Sequence, residues 1–138
     1  MHMEQDLITE MLGKSKIIAV VGLSPKPARA SYGVAAYMQA QGYRIIPVNP
    51  REAGKTILGE LCYADLVAAA ADHRIDIVNC FRNADDIPPV VEEAIRIAAP
   101  YLWMQQGIVN VPAAEKAEAA GIRVVMDKCI KIEHHVRF

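Results

Sequence analysis

The residues best suited to chemistry stand together in Gly22-Leu23-Ser24-Pro25-Lys26-Pro27-Ala28-Arg29-Ala30-Ser31-Tyr32. Gly22 permits a tight turn and close backbone approach. Lys26 and Arg29 put two cations on one loop, and Ser24 and Ser31 add hydroxyl donors. A helix starting near Ser31 would contribute free N–H groups and the positive end of its dipole. A phosphate or pyrophosphate suits such a place; a polar connection stiffened by its prolines is the plainer alternative. The pattern is no dinucleotide fingerprint, because G-x-G-x-x-G is absent. NAD sites also carry an acidic residue about 20 residues on, for the ribose hydroxyls. Here Val48-Asn49-Pro50-Arg51 stands there, with Glu52 close by.

The elements that must position this loop are legible as alternation. Ile17-Ile18-Ala19-Val20-Val21-Gly22 is continuous, β-branched and closed by glycine, as a strand buried on both faces should be. Four further runs follow, at 43–48, 75–81, 101–104 and 122–126. Pro47 in the second is best tolerated near an exposed strand end. Between them lie predicted helices: one capped by Ser31 and ended by Gly42, one over 64–72, one opening with Pro88-Pro89, and one from Pro112 to Ala120. Residues 4–16 read as a leading helix and 130–138 as a tail. Strand–helix alternation with these spacings predicts an α/β fold. It is a Rossmann-like, doubly wound, mainly parallel five-stranded sheet with helices on both faces.

At 138 residues the chain is about one domain, too short for a closed eight-unit barrel, which needs about 250. Lys plus Arg is 15 against 16 for Asp plus Glu, so no overall field points to nucleic acid or an anionic membrane. No apolar stretch approaches the roughly 20 residues of a membrane span. The N-terminus is not a signal peptide, and Met1-His2 reads as an expression scar. Cys62, Cys80 and Cys129 are odd in number and widely spaced, which argues against a disulfide framework or structural zinc and for a reducing cytoplasm.

Four blocks carry a more specific signal: IAVVGLSPKPARASYGVAAYMQAQGYRIIPVNP, DIVNCFRNADDIPPVVEEAI, LWMQQGIVN and AGIRVVMDKC. In this order they resemble the small CoA-binding protein family, itself similar to the N-terminal, CoA-binding domain of the succinyl-CoA synthetase α subunit. The likeness runs from about residue 15 to residue 133, and implies a single CoA-binding domain over residues 1–138. It implies that Gly22, Ser24, Lys26, Arg29 and Ser31, with the adjoining Tyr32, surround the diphosphate or 3′-phosphate of coenzyme A. Asn49, Pro50 and Arg51 would border the adenosine end. Phe81 and Arg82 would line the adenine or pantetheine path, and Met104, Gln105, Gln106 and Gly107 the far wall. Ala30 departs from a frequent proline, and Asn79-Cys80 from a common Asp-Val. The ligase half that bears a phosphorylated histidine has no counterpart, and none of the four histidines sits in a comparable motif.

The expectation is therefore a module that binds CoA or acyl-CoA, a small-molecule partner, without chemistry of its own. An NAD(P)-binding oxidoreductase-type domain and an acyl-CoA ligase component needing other chains are the alternatives. Cys80 and Cys129 read as inert core thiols rather than partners of the CoA thiol. His134-His135 reads as part of a solvated tail, since adjacent side chains in an extended segment point apart. His73 reads as a surface residue, Trp103 and Met104 as core and pocket wall. Asp85-Asp86 and Glu92-Glu93 read as negative charge at a helix start.

Overall fold

The computed structural model describes residues 3–138, so Met1-His2 lies outside it. The main sheet is built from β1 (Ile17–Val21), β2 (Arg44–Val48), β5 (Ile77–Cys80), β6 (Tyr101–Met104) and β7 (Arg123–Val125). All five are parallel, in the order β2-β1-β5-β6-β7. The expected sheet is thus present, strand for strand. A small antiparallel hairpin of β3 (Thr56–Ile57) and β4 (Glu60–Leu61), which the pattern does not announce, lies beyond β2. Pro47 fits because its carbonyl accepts from Tyr63 N–H on the outer side of β2. Its missing N–H therefore faces away from β1.

Alternating side chains divide the core into two layers. Ala19, Val21, Val78, Cys80 and Leu102 face α3 (Leu66–Asp72), α4 (Ile87–Arg96) and α5 (Val111–Ala119). Ile18, Val20, Ile45, Ile77 and Trp103 face α1 (Met3–Lys14), α2 (Ala30–Ala40) and α6 (Ile130–His135). Full burial of each such side chain stabilises the fold by about 1.5–3 kcal/mol, which is why both faces need helices. Local caps agree: Asp65 accepts from Ala68 N–H, and Asn110 from Ala113 N–H.

Two expectations fail here. The segment read as a tail contains α6, anchored by the fully buried Ile130. His134 is also buried; its Nδ1 lies 3.1 Å from the Tyr37 hydroxyl and its ring packs on Tyr37, Tyr43 and Phe138. Burial, then the neighbouring His135, lowers its pKa. The residue is a packing element because a helix, unlike an extended tail, sends 130 and 134 to one face. Second, Ser31 does not cap α2. The N-cap is Arg29, with no side-chain cap bond, and Ser31 is buried in the first turn.

Candidate functional site

In an open parallel sheet, ligands bind beyond the carboxyl ends of the strands where the order reverses. Here the chain leaves β1 toward β2 and leaves β5 toward β6, in opposite directions, so the crevice opens between β1 and β5. Gly22 and Phe81 close its floor. Gly22 has φ +89°, and a Cβ there would lie 3.1 Å from the carbonyl carbon of Phe81 and closer still to its oxygen. Only glycine meets both conditions.

The loop after β1 is braced from within. Ser31 Oγ accepts from Ser24 N–H at 3.0 Å, and Ser24 Oγ from Lys26 N–H at 3.1 Å. Lys26 carbonyl in turn accepts from Arg29 N–H. Each hydroxyl oxygen thus serves as an acceptor inward, leaving its own O–H to donate outward. The first turn of α2 adds the N–H groups of Ala30 and Ser31, which have no intrahelical carbonyl to bond. Asn49 ties β2 to this loop, donating from Nδ2 to the Leu23 carbonyl at 3.0 Å while Oδ1 accepts from Arg51 N–H.

Above these turns lies a cleft of about 710 Å³, within the roughly 300–1,000 Å³ usual for small-molecule sites. Gly22, Ser24, Lys26, Arg29 and Ser31 line it from the first loop. Asn49 and Arg51 come from the end of β2, Phe81 and Arg82 from the end of β5. Nine expected residues are therefore brought together. Four are cations, and among the described residues none of Lys26, Arg29, Arg51 or Arg82 forms an ion pair. Seven other basic residues, Arg44 and Arg123 among them, each pair with a carboxylate. The nearly balanced total charge of −1 hides this asymmetry.

The remaining expected residues stand elsewhere. Pro50 borders a smaller adjoining cavity. Tyr32 packs, half-buried, in the α1/α2 layer. Met104 is fully buried against α3, α4 and α5. Gln105 is buried too, with Oε1 accepting from Ile130 N–H. Gln106 is exposed, and Gly107 N–H donates to Asp127 at 2.7 Å. These four do not line the cleft because β6 lies one strand beyond the reversal point.

Asn83, Asp86 and Glu52 also line it; the sequence marks Glu52 only as an acid near the end of β2 and Asp86 only as helix-start charge, and does not single out Asn83. The expectation that Glu92 and Glu93 begin a helix also fails: α4 starts at Ile87, both lie inside it, and each binds a partner. Glu93 Oε1 accepts from Leu66 N–H at 2.7 Å, and Glu92 pairs with Lys116. Cys80 is fully buried, and desolvation pushes its thiol up to about 12. Cys62 is buried and likewise raised, chiefly by desolvation, while Cys129 is half-buried. His73 is half-buried, its Nε2 3.2 Å from the Tyr63 hydroxyl.

A family model described as CoA binding domain matches residues 16–135, nearly all of the chain. The chain belongs to the CoA binding domain family. Among relatives of this CoA binding domain, "Uncharacterized protein YneT" of Bacillus subtilis (strain 168) is 47% identical over 129 residues, spanning 94% of this chain and 93% of its own. Two solved structures superpose closely. One, cell-free ID.343 from Thermus thermophilus, has TM-score 0.88 and 33% identity, covering 98% of each chain. The other, a hypothetical protein from Pyrococcus horikoshii OT3, has TM-score 0.87 and 35% identity, covering 95% of this chain and 89% of its own. Fold and family thus agree that this CoA binding domain is a nucleotide- or CoA-binding type of module. Among the described residues, no helix is long and apolar enough to cross a membrane.

Proposed function

We propose that the cleft binds coenzyme A or an acyl-CoA and acts as a binding or regulatory module without chemistry of its own. The observation that carries this reading is the set of four cations without carboxylate partners around one cleft. Unpaired cations crowded on one site repel each other, and a ligand carrying a diphosphate and a 3′-phosphate offsets that repulsion. The α2 N–H groups and the serine hydroxyls supply the uncharged donors such oxygens also need. Asn49, Pro50 and Arg51 would border the adenosine end, and Phe81 the path of the pantetheine chain.

The absence of catalysis rests on the cleft's side chains. Its ionisable lining is Lys26, Arg29, Arg51, Arg82, Glu52 and Asp86, with no histidine or cysteine among them. That set contains no nucleophile held by a base and an orienting partner. Calorimetric titration with CoA, acetyl-CoA, NAD and NADP tests the reading. Saturable binding of the CoA species is the expected result; binding of NAD with no response to any CoA species would overturn it.

A further inference from the structure

The sheet ends at β7, and among the described residues no strand pairs with its outer edge. Alternate residues of a strand bond to opposite sides. Arg123 N–H donates to the Pro100 carbonyl, so Arg123 and Val125 bond inward and Val124 presents its N–H and C=O outward. Among the described residues no turn or helix backbone takes up either group. The Ile122 carbonyl and the Met126 N–H, two places away on either side, face the same way. Ile122 N–H already donates to the Ala117 carbonyl.

A groove of about 470 Å³ runs along this edge, between Leu7 of α1 and Glu118 of α5, and Val124 lines it. Exposed edges are commonly guarded by a charged side chain or a proline. Here the charged side chain stands aside: Arg123 is turned onto α1, with Nη1 donating to Glu10 Oε2 at 2.8 Å. Val124 packs its side chain on the opposite face, in the α3/α4/α5 layer. The edge backbone is left open to an added strand.

That edge is complementary to itself. When two copies of β7 lie antiparallel about a two-fold axis at Val124, the two Val124 residues exchange both N–H···O=C bonds. Each Met126 N–H then meets the Ile122 carbonyl of the other copy. Outward groups face outward groups; a slip of one residue would set them against inward ones. The same register puts Arg123 of one copy beside Val125 of the other. Arg123 lies on the α1 face, and so does Glu4, which pairs with Lys128 just past the end of β7. Both Arg123 and Glu4 line the groove. Each arginine thus approaches the other copy's Glu4, while the two Glu118 residues stand at opposite ends of the strand pair. We infer that the chain associates with a second copy of itself through β7, continuing the parallel sheet across a two-fold axis. This goes beyond the CoA reading of the cleft and does not depend on it.

An interface this short belongs to the transient class, so the full chain is measured by sedimentation equilibrium at about 100 µM. A dimer that dissociates on dilution is the expected result. Val124→Pro removes the outward N–H and leaves the bonds toward β6, since proline is tolerated where an edge N–H faces away from the sheet. With a bond lost from each copy, the dissociation constant of the dimer should rise about ten-fold or more. Amide exchange, quenched after incubation at about 100 µM and about 1 µM protein, gives a second reading. Val124 N–H should be protected only at the higher concentration, and Val125 N–H at both. The inference is overturned if the unaltered chain is monomeric at the higher concentration, or if Val124 exchanges equally fast at both. It is also overturned if a Val124→Pro variant with a cooperative thermal melt dimerises as tightly as before. Should that variant not fold, the exchange comparison decides alone. CoA plays no part in these measurements, so failure here leaves the cleft reading standing, and the reverse.

Discussion

The backbone carbonyl of Phe81 occupies the space that a side chain on Gly22 would need. The turn leaving β1 and the turn leaving β5 thus meet at a point where the first contributes only a hydrogen. Phe81 N–H also donates to the Val21 carbonyl at 2.8 Å, so the two turns are bonded as well as packed. Gly22→Ala combines a left-handed backbone with a clash against main chain that cannot rotate away. We expect a loss of about 2–4 kcal/mol in urea denaturation, together with loss of CoA binding.

Arg29 is exposed at the N-cap of α2 and makes no side-chain bond within the protein among the described residues. Its replacement by alanine should leave the melting temperature nearly unchanged and weaken CoA binding about ten-fold. The same variant should show a shallower dependence of affinity on salt, since one screened contact is gone. Undiminished affinity in calorimetry would remove Arg29 from the phosphate site.

The pKa of His134 is lowered in the folded chain by burial, so the unfolded chain binds the proton more readily. Stability then rises with pH across the window between the folded value and the ordinary value of about 6.5. Above that window the contribution is fully present; as pH falls through it, the contribution is lost. Thermal melts from pH 7.5 to 5 should decline below about pH 6.5, and His134→Gln should flatten that part of the slope.

Cys80 is shielded both by its burial and by a thiol pushed up to about 12. Alkylation of the native protein at pH 8, followed by mass spectrometry, should leave it unmodified until denaturant is added. Cys80→Ser should destabilise the protein by about 1–3 kcal/mol, because a hydroxyl would enter an apolar layer without a partner.

The parallel sheet was legible because strands buried on both faces must be apolar without a break, as Ile17–Val21 and Tyr101–Met104 are. The loop chemistry was legible for a related reason: Gly22, Lys26 and Arg29 lie within a single connection. What escaped depended on strand order. Nothing in LWMQQG says that β6 stands outside the reversal point, so Met104 and Gln105 were expected at a wall they do not form. The same holds for α6. Its sequence, IKIEHH, carries too little apolar residue to declare a buried face, and His134 is buried by aromatic rings from a segment almost a hundred positions earlier. Glu93 binds Leu66 N–H across 27 positions, a pairing no local pattern announces.

The hydrogen bonds through Ser24, Ser31 and Asn49 have a consequence for the energetics of recognition. They join the loop after β1 to α2 and to the end of β2, so the backbone around the cations is already ordered in the free protein. The conformational entropy of that loop is lost on folding and not a second time on association. A ligand meeting the cleft therefore has only side chains such as Lys26 and Arg51 left to immobilise.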